Sequence, residues 1–166
     1  MKQLDVTLSH NRDFVVWHKG QELGRQRFPK WNSQRAEIYL GKDVYLLEPK
    51  GFWQATQDVS IHGKVVLQIS TKWNGFARIE RPEEPNRYFI IKPKGFFKQE
   101  YILTNHTSQV LMEINSRFSF KNFKTTYTIN CNADFGATSF EELLIMVAIH
   151  CYRMAQRAAA AASASQ

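Results

Sequence analysis

Cysteine is nearly absent from this chain. Cys131 and Cys151 stand alone without metal-type spacing, so no disulfide framework or zinc knuckle is written here, and both read as buried thiols. Long apolar runs are lacking as well. The run from 143 to 149 is followed by His150, Arg153, Gln156 and Arg157, which leaves it short of the roughly 20 residues a bilayer span needs. The start, Met1-Lys2-Gln3-Leu4-Asp5-Val6, has no apolar stretch and no small-residue cleavage site of the secretory kind, and the expectation is a cytoplasmic protein. Accordingly, Asn105-His106-Thr107 is read as a polar turn rather than a glycosylation site. A nucleophile elbow, a Gly-rich phosphate loop, His-Glu-x-x-His and paired Cys motifs are all missing. The expectation is therefore a non-enzymatic protein with no catalytic residue and no cofactor. His10, His18, His62, His106 and His150 show no local metal-ligand spacing, and Glu83-Glu84 runs into Pro85 instead of spaced calcium ligands, so no metal site is expected.

Acids are also few, 15 against 22 lysines and arginines, and the net charge of +7 is large for 166 residues. Such a balance favours acidic partners, whether nucleic acid, an anionic membrane surface or an acidic protein, and by itself chooses none of them.

The strongest local signal lies near the end. Ser139-Phe140-Glu141-Glu142 opens into Leu143-Leu144-Ile145-Met146-Val147-Ala148-Ile149 and continues through Met154, with capping-box spacing between Ser139 and Glu142. Seven consecutive apolar residues go about twice around a helix and leave no polar face. Exposing them would forgo on the order of 10 kcal/mol, so the rest of the chain must wall them in. The helix is expected over 139–157, with Arg153 and Arg157 suited to its negative end and an Ala/Ser-rich tail over 158–166. His150 is expected to be a hydrogen-bonded core histidine.

Nearly everything upstream reads as strands. Leu4, Val6 and Leu8 alternate with polar residues; Phe14-Val15-Val16-Trp17 and the residues from Glu22 to Phe28 flank a turn at His18-Lys19-Gly20-Gln21; short strands surround Gly41-Lys42-Asp43. The chain then repeats itself. Tyr45-Leu46-Leu47-Glu48-Pro49-Lys50-Gly51-Phe52-Trp53 matches Phe89-Ile90-Ile91-Lys92-Pro93-Lys94-Gly95-Phe96-Phe97, 44 residues on, and Lys64 to Ile69 matches Gln109 to Ile114 at an offset of 45. The extra residue falls between His62-Gly63 and His106-Thr107-Ser108, in a turn, where it leaves the inward set of each strand unchanged. Pro-Lys-Gly is read as a turn in each repeat, and Arg81-Pro82-Glu83-Glu84-Pro85-Asn86 as an irregular connector between them. About twelve strands result. The expected fold is mainly β, a closed barrel of about twelve strands built from two related repeats and enclosing the C-terminal helix, in one domain over 1–157. An open curved sheet with a groove along the helix is the alternative.

This pattern, namely the two Pro-Lys-Gly-Phe repeats, the hairpin from Tyr101-Ile102-Leu103-Thr104 to Val110-Leu111-Met112-Glu113-Ile114, and the apolar helix from Phe140 to Met154, resembles the tubby C-terminal-like superfamily, which includes LURP-one-related proteins and phospholipid scramblases. The resemblance implies a twelve-stranded barrel around a central hydrophobic helix and anionic phospholipid head groups as the first ligand class to test. No residue set here matches the phosphoinositide site of tubby proteins or the calcium site proposed for scramblases. A filled lumen implies that ligands bind outside the barrel.

Two stretches interleave cations with rings: Arg117-Phe118-Ser119-Phe120-Lys121-Asn122-Phe123-Lys124, and Arg25-Gln26-Arg27-Phe28-Pro29-Lys30-Trp31 followed by Arg35. Such segments pair phosphates and stack bases, or pair head groups and insert rings; alternatively the rings are core and the cations a solvated wall. Lys50 and Lys94 hold equivalent turn positions beside Trp53 and Phe97, with Lys92 and Lys98 flanking the second turn. The candidate anion-binding residues are therefore Lys92, Lys94, Lys98, Arg117, Lys121 and Lys124, on an outer basic surface of a peripheral protein. Single-stranded nucleic acid and an acidic protein partner are the competing occupants.

Overall fold

The structure, a computed structural model, describes residues 1–9, 12–51, 55–72, 74–96, 99–122 and 124–165, the side chain of Lys124 excepted. Twelve strands run in chain order: β1 (Lys2–Ser9), β2 (Asp13–His18), β3 (Gln21–Arg27), β4 (Ala36–Leu40), β5 (Asp43–Lys50), β6 (Thr56–Ile61), β7 (Lys64–Thr71), β8 (Ala77–Arg81), β9 (Glu84–Pro93), β10 (Glu100–Asn105), β11 (Val110–Ser119) and β12 (Lys124–Cys131). Each pairs antiparallel with its chain neighbours, and β1 pairs with β12 to close the barrel. Closure leaves no free sheet edge for another chain to join.

Alternation puts every second side chain inside. Leu4, Ile129 and Ile114 stand level across β1, β12 and β11, and all three are fully buried. Phe14 and Val16, Val59, Leu67 and Ile69, and Ile79 continue the lining around the wall. Twelve strands enclose a lumen wider than side chains alone fill, and the helix α1 (Ser139–Ala164) occupies it. Leu143 to Tyr152 is buried on all sides, as a helix apolar over its whole circumference must be. Gly24 marks a close approach of wall to helix: a Cβ there would meet Leu40 Cδ2 at 2.6 Å and Met146 Sδ at 3.2 Å.

The helix entry differs by one residue from the expected cap. Thr138, not Ser139, is the N-cap, and its hydroxyl accepts from the Glu141 N–H at 3.2 Å. Glu141 in turn accepts from the N–H groups of Gly136, Ala137 and Thr138 at 3.2, 2.9 and 3.1 Å. Thr138 precedes Glu141 by the same three-residue spacing as Ser139 precedes Glu142, so spacing alone could not choose between them. The far end differs more. The helix runs 26 residues, about 39 Å, and takes in the alanine-rich stretch, so Arg153 and Arg157 sit before its last turn. Alanine is the strongest helix former, and no glycine or proline intervenes before Ala164.

Two turn assignments also shift. Pro49 and Pro93 lie within strands, opposite Gln57 and Tyr101, and the left-handed backbone comes only at Gly51 (φ 81°) and Gly95 (φ 80°). Between the repeats only Pro82-Glu83 is turn, and Pro85-Asn86 belongs to β9. A register irregularity opposite them, between Ile79 and Arg81, spares Pro85 a ladder hydrogen bond that its missing N–H could not make.

Candidate functional site

In an up-and-down barrel every second connection falls at the same end. The six connections around the mouth where the helix emerges are 10–12, 28–35, 51–55, 72–76, 94–99 and 120–123. Their described residues carry Arg12, Lys30, Arg35, Lys72, Lys94 and Lys121 and no acid. The six at the opposite end carry Lys19 and Lys42 against Glu83 and Asp134, which cancel. Aromatics divide the same way. Among the described residues Phe28, Trp31, Phe76, Phe96 and Phe120 belong to the first set, and Phe135 is the sole aromatic of the second.

Rings at this rim face solvent. Trp31 is 83% exposed, Phe96 101% and Phe120 81%; Phe118, at the end of β11, is 51% exposed and meets Phe120 edge-on with ring centroids 5.1 Å apart. Strand alternation allowed Phe118 and Phe120 to be core, and the structure places both outside. The reason is local: Phe120 falls past the end of β11, beyond the wall that would cover it.

The sequence candidates converge on this rim in part. Arg117 and Lys121 are exposed beside Phe118 and Phe120, and among the described residues neither forms an ion pair. Lys94 is exposed but pairs with Glu113 at 3.1 Å, which spends its charge on the barrel wall. Lys92 is half-buried in β9, inside the rim. Lys98, with Trp53 and Phe97, lies outside the described residues, and Lys124 opens β12 with its side chain likewise outside them. Lys50 and Arg35 pair with Asp58 at 3.9 Å and Glu48 at 3.8 Å. Lys30 and Lys72, by contrast, are exposed without an ion pair among the described residues.

Three features at this mouth were not legible beforehand. The first is a cluster of guanidinium groups. Arg12, 7% exposed, donates to the carbonyls of Lys30 (3.2 Å) and Trp31 (2.8 Å) and lies 3.9 Å from the centre of the Phe28 ring. Arg153 and Arg157 join it from the helix, and with Trp31 they line a cavity of about 390 Å³.

The second is His150. It is buried, yet neither ring nitrogen has a hydrogen-bond partner among the described residues, so it is not the hydrogen-bonded histidine expected. Burial, with the Arg12 charge second, holds its pKa down at about 4 and keeps the ring neutral.

The third is a larger cavity of about 1030 Å³ between the emerging helix and the rim, lined by Gln57, Ala77, Tyr101, His150, Ala155 and Ala159 among others. The helix therefore fills the closed part of the lumen and not the mouth, because the alanines that carry it outward are too small to reach the wall. Tyr152 anchors it there: its hydroxyl accepts from Gln156 Nε2 at 2.6 Å, and its ring packs edge-on against Tyr101 and Tyr127.

Burial pushes the Cys131 thiol up to about 11 and Cys151 up to about 12, so both stay protonated at neutral pH. Among the described residues no group of three or more His, Cys, Asp and Glu gathers as a metal site, and no helix is long and apolar enough to cross a membrane.

No protein-family model matches this chain, and no curated protein matches it by sequence. Among solved structures it is similar to the X-ray structure of a protein from Arabidopsis thaliana, at 10% identity, over 90% of this chain and 88% of that one, with a TM-score of 0.55. At that identity the likeness concerns the fold alone.

Proposed function

We propose that this chain is a non-enzymatic module of the tubby-like type that docks on anionic phospholipid surfaces, working at the cytoplasmic side of a membrane as a peripheral protein. The observation that carries the reading is the inequality of the two barrel ends: among the described residues one mouth combines six connection cations, no connection acid and solvent-exposed rings, and the other has neither surplus. A cation near an anionic bilayer contributes about 1 kcal/mol, so Lys30, Lys72, Arg117 and Lys121 together supply about 4 kcal/mol, which is weak binding. Each large ring transferred from water adds roughly 1.5 to 3 kcal/mol. Trp31, Phe96 and Phe120 stand where that transfer is open to them, and a membrane is the partner that takes cations and separated rings at once without a shaped pocket.

The resemblance to the tubby-like superfamily supports the same ligand class. Single-stranded nucleic acid would use the same cations with the rings as stacking platforms, and an acidic protein would use the cations alone. Capture of the purified chain by phosphatidylcholine vesicles with and without phosphatidylserine, beside a single-stranded oligonucleotide over a salt series, separates them. Capture that needs the anionic lipid and persists in part at high salt is the expected result. Oligonucleotide binding that falls linearly in log salt, without vesicle capture, would overturn it.

A further inference from the structure

We propose that Arg12, Arg153 and Arg157 form a binding site for a phosphate monoester at the mouth of the barrel. Three guanidinium groups from two separated parts of the chain line one cavity of about 390 Å³, room for about a dozen water volumes and so for a phosphate with its substituent. The described residues include every Asp and Glu of the chain, and none of them forms an ion pair with any of the three. The carboxylate that acts on Arg12 is that of Asp13, whose Oδ1 also accepts from the Phe28 N–H at 2.8 Å. The cluster thus gathers three positive charges against the single carboxylate of Asp13.

Its members are also held in place. Arg12 is fixed by the Lys30 and Trp31 carbonyls and by the Phe28 ring. Arg153 donates to the Tyr127 hydroxyl at 3.1 Å, while its Nε is buried with no partner. Arg157 lies one helical turn further on, exposed, on the same face as Arg153, where like charges repel. Burial and then the charge of Arg157 lower the Arg12 pKa, against a smaller rise from Asp13. Folding has placed like charges together at a cost that a bound dianion would offset.

Chemistry narrows the ligand. A guanidinium fork suits carboxylates and phosphates alike, but several forks around one cavity suit a tetrahedral group with three free oxygens, as a phosphate monoester has and a carboxylate or a diester lacks. The exposed indole of Trp31 lies at the opening, against whatever the phosphate is attached to. The source of the monoester is either a free metabolite or a lipid such as phosphatidic acid. The site stands apart from the membrane reading, since a soluble phosphate suffices to fill it.

The test uses the whole chain. Calorimetric titration with inorganic phosphate and with glycerol 3-phosphate should show saturable binding to one site. Arg157→Gln, at an exposed position that threatens no packing, should weaken it about tenfold, the loss of one charge-assisted pair. Lys121→Gln, on the rim outside the cluster, should leave it unchanged. Vesicles with phosphatidic acid and vesicles with phosphatidylserine form the second arm. Binding of soluble phosphate supports a free ligand, and Arg157-dependent binding of phosphatidic acid vesicles alone supports the lipid form. Absence of saturable binding to both, or binding equal in the parent, Arg157→Gln and Arg153→Gln, would overturn the site. Vesicle capture that depends on Lys121 and not on Arg157, with no saturable phosphate binding, would leave the docking rim standing without it; phosphate binding with no vesicle capture would do the reverse.

Discussion

Phe28 stacks on His150, their ring centroids 6.1 Å apart and their planes 26° from parallel. The contact fastens the connection after β3 to the last enclosed turns of the helix, and it places a neutral imidazole where no hydrogen bond reaches either nitrogen among the described residues. The unfolded chain takes up a proton on this residue below about 6.5, the folded chain only below about 4. Between those values the unfolded state binds more protons, so His150 costs stability as pH falls through that window, on the order of 3 kcal/mol by its lower end. His150→Leu should remove that part of the acid sensitivity and raise stability at pH 7 by about 1 kcal/mol, because a buried ring with unmet polar atoms is replaced by an apolar side chain. Urea unfolding of both proteins at pH 7 and pH 4.5 checks it. An identical pH dependence in parent and variant would contradict it.

Glu141 accepts from three backbone N–H groups at the helix entry, whereas Glu142 accepts none of the described hydrogen bonds. Glu141→Ala should therefore cost about 1 to 3 kcal/mol, and Glu142→Ala less than about 0.5 kcal/mol. The shift of the urea midpoint in each single variant measures the difference. A larger loss at Glu142 would put the cap back at Ser139.

Ile145 and Val147 are fully enclosed by the wall. A carboxylate at either position has no partner inside, and a buried unpaired charge costs more than the net stability of a domain this size. Ile145→Asp and Val147→Asp should yield no soluble folded protein, as judged by recovery and near-ultraviolet circular dichroism. A variant as stable as the parent would mean that the helix is not enclosed.

What could be read from the chain, and what could not, divides along the range of the interactions. Strand alternation and the all-apolar helix are local patterns, and each led to the right element. The cap slipped by one residue because Thr138 and Ser139 are chemically equal as caps and each has a Glu three residues on. The helix end slipped further, because an alanine run was read as low complexity when it is the strongest helix former in the chain. The mouth is a different case. Lys72, Phe96 and Lys121 are far apart in sequence and meet at one end only because alternate connections of a meander share it. Summing charge and rings over alternate connections would have exposed the rim as soon as twelve antiparallel strands were proposed. The arginine cluster had no such signal, since Arg12 and Arg157 are joined only by barrel closure and by the position of the helix within it.

The most direct test of the docking mouth asks which end of the barrel meets the bilayer. Native Cys131 and Cys151 are buried and protonated, so an introduced surface thiol can be labelled selectively. An environment-sensitive fluorophore on Asn122→Cys, in the connection between β11 and β12, should shift to the blue when phosphatidylserine vesicles are added. The same fluorophore on Lys42→Cys, at the opposite end, should not. A shift at position 42, or none at 122 while the protein sediments with the vesicles, would contradict docking through the mouth from which the helix emerges.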